Sequence, residues 1–375
     1  MAFLDPKFAE YPARKRHLWL ISLTYPLFPL LGTLVALATG QAAWVWLPVA
    51  LVYLVIPVIE TIVGDDHTDI LGQMDAEAAM SPFYRYMVHG LLPIIYLTWG
   101  LGAWYVATQS PGILTLIGLG VSHGLGLGFA INSGHEVGHK TDRTSKWIAL
   151  LMLAPSFYGH FRIEHNVGHH SHVATPKDSA TSYFGESFWH FIGREIPGAW
   201  KRAWAIESKR ADRKGYSRFS IKNEVVLATL LGLAVWTTML MIFGLVVLPY
   251  MLIAWAFSVT GLSQQNYIAH YGLLRDQRPD GKYLPARPEH SWNCNKIVTN
   301  LLTFNLARHS DHHANPARHY QNLRTFPDAP QLPHGYGFMF LLAYCPPLFR
   351  RVMDPLVLAN VDGDMDRVLT KDMML

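Results

Sequence analysis

Nearly all Lys, Arg, Asp and Glu residues of this chain fall in four stretches: the N-terminus, 64–85, 140–224 and 270–375. The intervals between them are long and apolar. A membrane-crossing helix needs roughly 20 such residues. The intervals supply six, at about 17–38, 43–63, 86–108, 112–132, 225–243 and 246–263. The last two come from one run too long for a single crossing, divided where Gly244 and Pro249 interrupt it. Six crossings make three hairpins, whose outer turns Thr39–Ala43, Gln109–Pro111 and Gly244–Leu245 carry no charge. Every charged stretch then lies on one side. Arg14-Lys15-Arg16 marks that side as cytoplasmic, because positive residues stay inside. The expected fold is an all-α integral membrane protein, one membrane-embedded domain over 1–375, with cytoplasmic parts 64–85, 140–224 and 264–375 and both termini cytoplasmic.

Composition agrees. Charged residues make up 15% of the chain, against about a quarter in an ordinary soluble domain. The net charge of +4 is too small to argue for a nucleic-acid partner. Cys294 and Cys345 are far apart and form no CxxC, so neither a disulfide framework nor a thiolate metal site is expected. No small-residue cleavage site follows the first apolar run, so a cleaved leader is not expected. The runs 147–158 and 338–349 are apolar but too short to cross, and read as buried or interfacial helices. Trp44, Trp46, Trp99 and Trp104 fall near span ends, where an interfacial belt would place them.

Histidine is the outlier, with 19 residues that cluster. His135-Glu136-Val137-Gly138-His139 closely follows the fourth span; if the helix continues, both imidazoles share a face and reach one metal. Alone, this HExxH also reads as a zinc-protease signature with Glu as general base. Glu164-His165-Asn166-Val167-Gly168-His169-His170 repeats the i,i+4 spacing at His165 and His169, with His170 adjacent. His309-Ser310-Asp311-His312-His313 gives i, i+3 and i+4. A lone His270 follows the sixth span in Asn266-Tyr267-Ile268-Ala269-His270. All four motifs fall on the cytoplasmic side of the topology. Nine histidines exceed the coordination of one ion, so two are implied. All-imidazole ligation suits Fe, Zn, Cu or Ni rather than Mg or Ca.

Ligating imidazoles usually donate their other N–H to a carboxylate or carbonyl. Glu136, Glu164, Asp178, Asp311 and Asn266 are the candidate outer partners. Glu60, Asp65 and Asp66 follow the second span and could reach the same depth. His172 is a spare ligand or an outer partner, and His160 and His319 sit beside motifs. His89 and His123 lie within spans, where a polar group is a functional or a packing residue. His17, His67, His190, His290 and His334 read as surface or interface residues.

The motifs HEVGHK (His135–Lys140), EHNVGHH (Glu164–His170), NYIAHYGL (Asn266–Leu273) and RHSDHHA (Arg308–Ala314) resemble the four signatures of the AlkB-type alkane 1-monooxygenases. VATPKD (Val173–Asp178), REIPG (Arg194–Gly198), HSWN (His290–Asn293) and YQNLRT (Tyr320–Thr325) extend the likeness over most of the chain from about residue 60. NYxxHYGL separates this family from most other histidine-rich membrane desaturases and hydroxylases. The resemblance implies six membrane helices and two non-haem iron ions. It implies His135, His139, His165, His169, His170, His270, His309, His312 and His313 as their ligands. It further implies dioxygen as co-substrate, a medium-chain n-alkane entering from the membrane and oxidised at its end, and electrons from rubredoxin, itself served by a reductase. With no CxxC in the chain, rubredoxin is expected in trans, and the enzyme in the bacterial inner membrane. In two places the chain departs from the family: Ala269 stands where Glu is usual, and Ala307 where Gln is usual.

An alkane offers no polar handle, so its orientation must come from the shape of a channel between spans. Basic residues Lys201, Arg202, Lys209, Arg210, Arg213 and Lys214 could meet an acidic redox partner or simply anchor topology. The nearest alternative is a membrane fatty-acid desaturase or hydroxylase with the same centre. A membrane zinc metalloprotease would use HEVGH and leave the other motifs idle. A metal transporter would need ligands along the membrane path rather than at one end.

Overall fold

The computed structural model describes residues 16–70 and 73–374. Arg14 and Lys15 of the basic triplet lie outside the described residues. Those described are helical, with isolated β-bridges and no strand among them.

Five helices are long and apolar enough to cross a membrane: α2 (Ala42–Val63), α3 (Pro82–Gln109), α4 (Ile113–Gly138), α8 (Glu224–Phe243) and α9 (Leu245–Ala269). A sixth, α1, is a pair, Arg16–Thr24 and Leu27–Thr39, bent by 48°. The bend falls at Pro26, which lacks the N–H a continuous helix requires there. Gly40 and Gly244, at φ 69° and 80°, end α1 and α8 in backbone conformations that L side chains rarely adopt.

α4 is the central helix, and its residues from Gly118 onward are nearly all buried. It packs most extensively on α9. The closeness of this pair is set by small residues. A Cβ at Gly120 would lie 2.5 Å from Ile253, and one at Gly124 2.7 Å from Phe257. The two helices run together to their C-terminal ends. The ends bring His135 and His139 on α4 to the same depth as His270 behind α9.

Trp99 is not interfacial. It is 2% exposed and packs in the core with Leu91, Ile95 and Ala103, because it stands well inside α3 rather than near either end. Trp44 and Trp104 are partly exposed. The short apolar run after 147 belongs to α5 (Arg143–Leu153), capped by Asp142, whose carboxylate accepts from the Ser145 amide. Residues 161–172 form α6, which contains a π-helical turn over Glu164–His169. α7 (Phe188–Lys214) packs on α6 and α9. The chain then returns through α10 (His309–Ala314), α11 (Tyr336–Tyr344) and α12 (Pro346–Asn360), with α11 against α9 and α2.

Candidate metal centre

The nine histidines form two groups. His135, His139, His165, His170 and His312 make one; His169, His270, His309 and His313 make the other. Within each group the available nitrogens lie within 4.8 Å of one another.

The helix of α4 continues through HEVGH, so His135 and His139 share a face as their spacing requires, with Nε2 atoms 3.0 Å apart. The second motif behaves differently. Its π-turn closes a bond from the His170 amide to the His165 carbonyl, five residues apart. That wider turn pairs His165 with His170, again at 3.0 Å, and sends His169 into the other group. The i,i+4 expectation for His165 and His169 therefore fails at this turn. The third motif is also split. His309 and His313, four residues apart on α10, stay together at 3.0 Å. His312 points toward α4 and meets His135 at 3.0 Å. His270 meets His309 at 3.1 Å.

Imidazoles arranged in this way fit a metal better than they fit each other. A neutral ring has one N–H, yet Nδ1 of His165, His170, His309 and His313 is buried without a partner. Two nitrogens about 2.1 Å from one ion and 3.0 Å apart subtend roughly 90°, the edge of an octahedron. Burial first, and neighbouring imidazoles second, hold His139, His165, His170, His309, His312 and His313 well below the usual imidazole range. Burial takes His270 down to about 3. Neutral rings keep their lone pairs for a cation.

Of the candidate outer partners, Asp178 accepts from an imidazole: His169 Nδ1 lies 2.8 Å from its Oδ2. Thr181 Oγ1 donates to the same oxygen at 2.6 Å, and Arg202 reaches Oδ1 at 2.7 Å. Burial alone would raise this carboxyl, but His169 and Arg202 overcome it and hold it well below the usual carboxylate range. Arg202 also pairs with Glu164. It is thus largely buried between two acids, whereas the sequence left it either facing a redox partner or anchoring topology. Gly168 leaves it room, since a Cβ there would stand 2.8 Å from Arg202 Nε. Glu136 pairs with Lys140 at 2.8 Å. Asp311 accepts from Arg318, Asn315 and the Arg324 amide. Asn266 donates to Glu195 at 3.3 Å. His172 bonds the Gly168 carbonyl at 2.9 Å. His290, read from sequence as a surface or interface residue, is buried and its carbonyl lies 3.3 Å from His270 Nδ1.

Glu195 escaped the sequence reading. It is 1% exposed and takes hydrogen bonds from Ser263 and Asn266, with Glu164 and Asp178 nearby. Burial pushes its carboxyl up to about 7. The folded protein thus holds this proton more tightly than the unfolded chain. The resulting stability is full below about pH 4.5 and is lost as pH rises through 7, a change of about 3 kcal/mol. Thermal unfolding in detergent is expected to show a fall in Tm between pH 5.5 and 7.5 that Glu195→Gln flattens; equal slopes in both proteins would contradict this.

An apolar cavity of about 90 Å³ lies between the spans; none of the nine histidines lines it. Gly124, Gly128 and Asn132 line it from α4, one turn short of His135; Phe257, Gly261 and Gln265 line it from α9, short of His270. Tyr25, Tyr53, Tyr336 and Phe340 complete the wall. A larger cleft of about 490 Å³, with mixed polar and apolar walls, reaches His139 past Glu136, Lys140 and His319.

Comparison with known proteins gives concordant results. A family model described as fatty acid desaturase matches residues 111–342. Alkane 1-monooxygenase 1 of Alcanivorax borkumensis is 43% identical over 96% of this chain and 89% of its own. The alkane 1-monooxygenases of Pseudomonas putida and Ectopseudomonas oleovorans are each 41% identical over 97% of this chain and 91% of theirs. The chain belongs to the alkane 1-monooxygenase family.

Ala269 and Ala307, the positions where the resemblance implied Glu and Gln, are bonded through their carbonyls to one short segment. The Trp292 amide donates to the Ala269 carbonyl and the Cys294 amide to the Ala307 carbonyl, each at 2.8 Å. Amides two residues apart on an extended segment point the same way, so both alanines lie along one edge, roughly 7 Å apart. Both are fully buried. Ala269→Glu alone is expected to bury an unpaired carboxylate and cost about 3 kcal/mol. Adding Ala307→Gln supplies a donor, and the double variant should recover much of the loss. Strictly additive Tm changes in the two singles and the double would refute the coupling.

HEVGH also loses its protease reading. Glu136 is engaged by Lys140, and three further imidazoles converge on His135 and His139.

Proposed function

We propose that the protein hydroxylates the terminal carbon of medium-chain n-alkanes, giving primary alcohols at a centre of two non-haem iron ions. The observation that carries this reading is the gathering of two all-histidine groups around the C-terminal ends of α4 and α9, the two helices that also line an apolar cavity between spans. His135, His139, His165, His170 and His312 would hold one iron, and His169, His270, His309 and His313 the other. Bound iron supplies dioxygen activation. The remaining work falls to the chain's own residues. Asp178 fixes His169 through its Nδ1–H, and Arg202 keeps that carboxylate ionised. The glycines of α4 and α9 leave room for a chain to lie along them and present its end toward His135. The cavity wall carries no charged side chain, which suits a substrate with no polar group and excludes bulk water.

Electrons would come from rubredoxin in trans, supplied by its reductase. The histidines would face the cytoplasm from the inner membrane, in keeping with the uncharged turns at the opposite ends of the helices. Octane under 18-O dioxygen tests the reaction. Labelled 1-octanol is expected. An alkene, or unlabelled alcohol, would overturn the proposal, and the alkene would favour a desaturase.

A further inference from the structure

The cavity has polar features that an alkane cannot use. Gln265 on α9 and Tyr336 on α11 both line it, and each is 5% exposed. The Gln265 side chain stands close enough to the Tyr336 hydroxyl to interact with it. Neither Gln265 Nε2 nor Tyr336 Oη completes a hydrogen bond of normal geometry. Buried polar atoms without partners are uncommon and call for an explanation. Here the helices that carry them are pinned together, since Gln264 Nε2 donates to the Phe340 carbonyl at 2.8 Å. The unpartnered groups are therefore held in place rather than left by loose packing.

Both groups are donors, an amide N–H and a phenolic O–H. Together they suit a neutral oxygen with two lone pairs. A carboxylate would want a cation, and no Lys, Arg or His lines this cavity. Gln265 stands five residues before His270, about 7.5 Å along the helix axis. An oxygen attached at the histidine end and withdrawing along the cavity would pass this pair.

Resting on the reading of the protein as a terminal alkane hydroxylase, we propose that Gln265 and Tyr336 form a hydrogen-bonding station for the hydroxyl of a primary alcohol. The cavity then holds the product by its oxygen as well as by its chain, and the alcohol competes with the incoming alkane.

Inhibition of octane hydroxylation tests this in membranes containing the full-length protein and its electron donors. The probes are 1-octanol and 1-chlorooctane, equal in chain length but unequal in hydrogen bonding. Tyr336→Phe and Gln265→Met are each expected to weaken inhibition by 1-octanol about five- to tenfold, with a shift below about twofold for 1-chlorooctane. Parallel shifts for both probes, or an unchanged 1-octanol constant, would overturn the station. Both substitutions keep side-chain bulk, and either alone decides if the other does not fold. Failure of the unsubstituted protein to hydroxylate octane would instead overturn the underlying reading, and is seen before any variant is compared.

Discussion

Replacing His270 with alanine should remove about half of the bound iron and lower octane hydroxylation at least about 100-fold. His270 is fully buried and belongs to the smaller group, where His169, His309 and His313 are its companions. Removing it leaves three nitrogens there, while the five of the other group are untouched. Loss should therefore be selective: metal analysis would give close to one ion per chain instead of two. His172→Ala is the matched control. Its ring bonds a backbone carbonyl on the same short helix, and iron content should stay at the parent value. A His270→Ala protein with full metal and normal turnover would remove this residue from the ligand set.

Arg202→Met is expected to cost about 3–5 kcal/mol in stability, because it strands two buried carboxylates, Asp178 and Glu164, without their cation. The effect should reach the metal. With Arg202 gone, burial raises Asp178, the carboxylate takes up a proton more readily, and His169 loses the partner that fixes its tautomer. Arg202→Lys should recover only part, since a single ammonium cannot engage both acids as a planar guanidinium does. Denaturation in detergent and iron per chain measure the two consequences. A methionine variant with parental stability would show that the acids are satisfied in some other way.

Different parts of this protein were legible in the sequence to different degrees, for physical reasons. Charge placement reveals apolar helices because the bilayer excludes charge regardless of packing. His135 and His139 could be paired from spacing because α4 is regular through them. His165, His169 and His170 could not, because a π-turn has no strong sequence mark and reverses which neighbours share a face. The acids were harder still. Asp178, Glu164, Glu136 and Asp311 are alike in sequence, and only the fold decides that one meets an imidazole while the others meet Lys140, Arg202 or Arg318. The place of Arg202 was hidden for the same reason: a basic residue in a charged helix looks like its neighbours until two buried carboxylates are found around it. Trp99 was misplaced because an aromatic residue was read as interfacial although the apolar stretch itself puts it about midway, where the fold buries it.

The π-turn has a mechanical meaning as well. His169 and His170 are consecutive residues, yet they serve different groups. One peptide unit, about 3.8 Å from Cα to Cα, therefore tethers the two prospective metal positions more tightly than any side-chain contact between them. A displacement at either position is transmitted to the other through a nearly rigid planar link. The two positions should therefore shift together even when only one of them is filled, with the distance between them governed by one extra residue in one turn of helix.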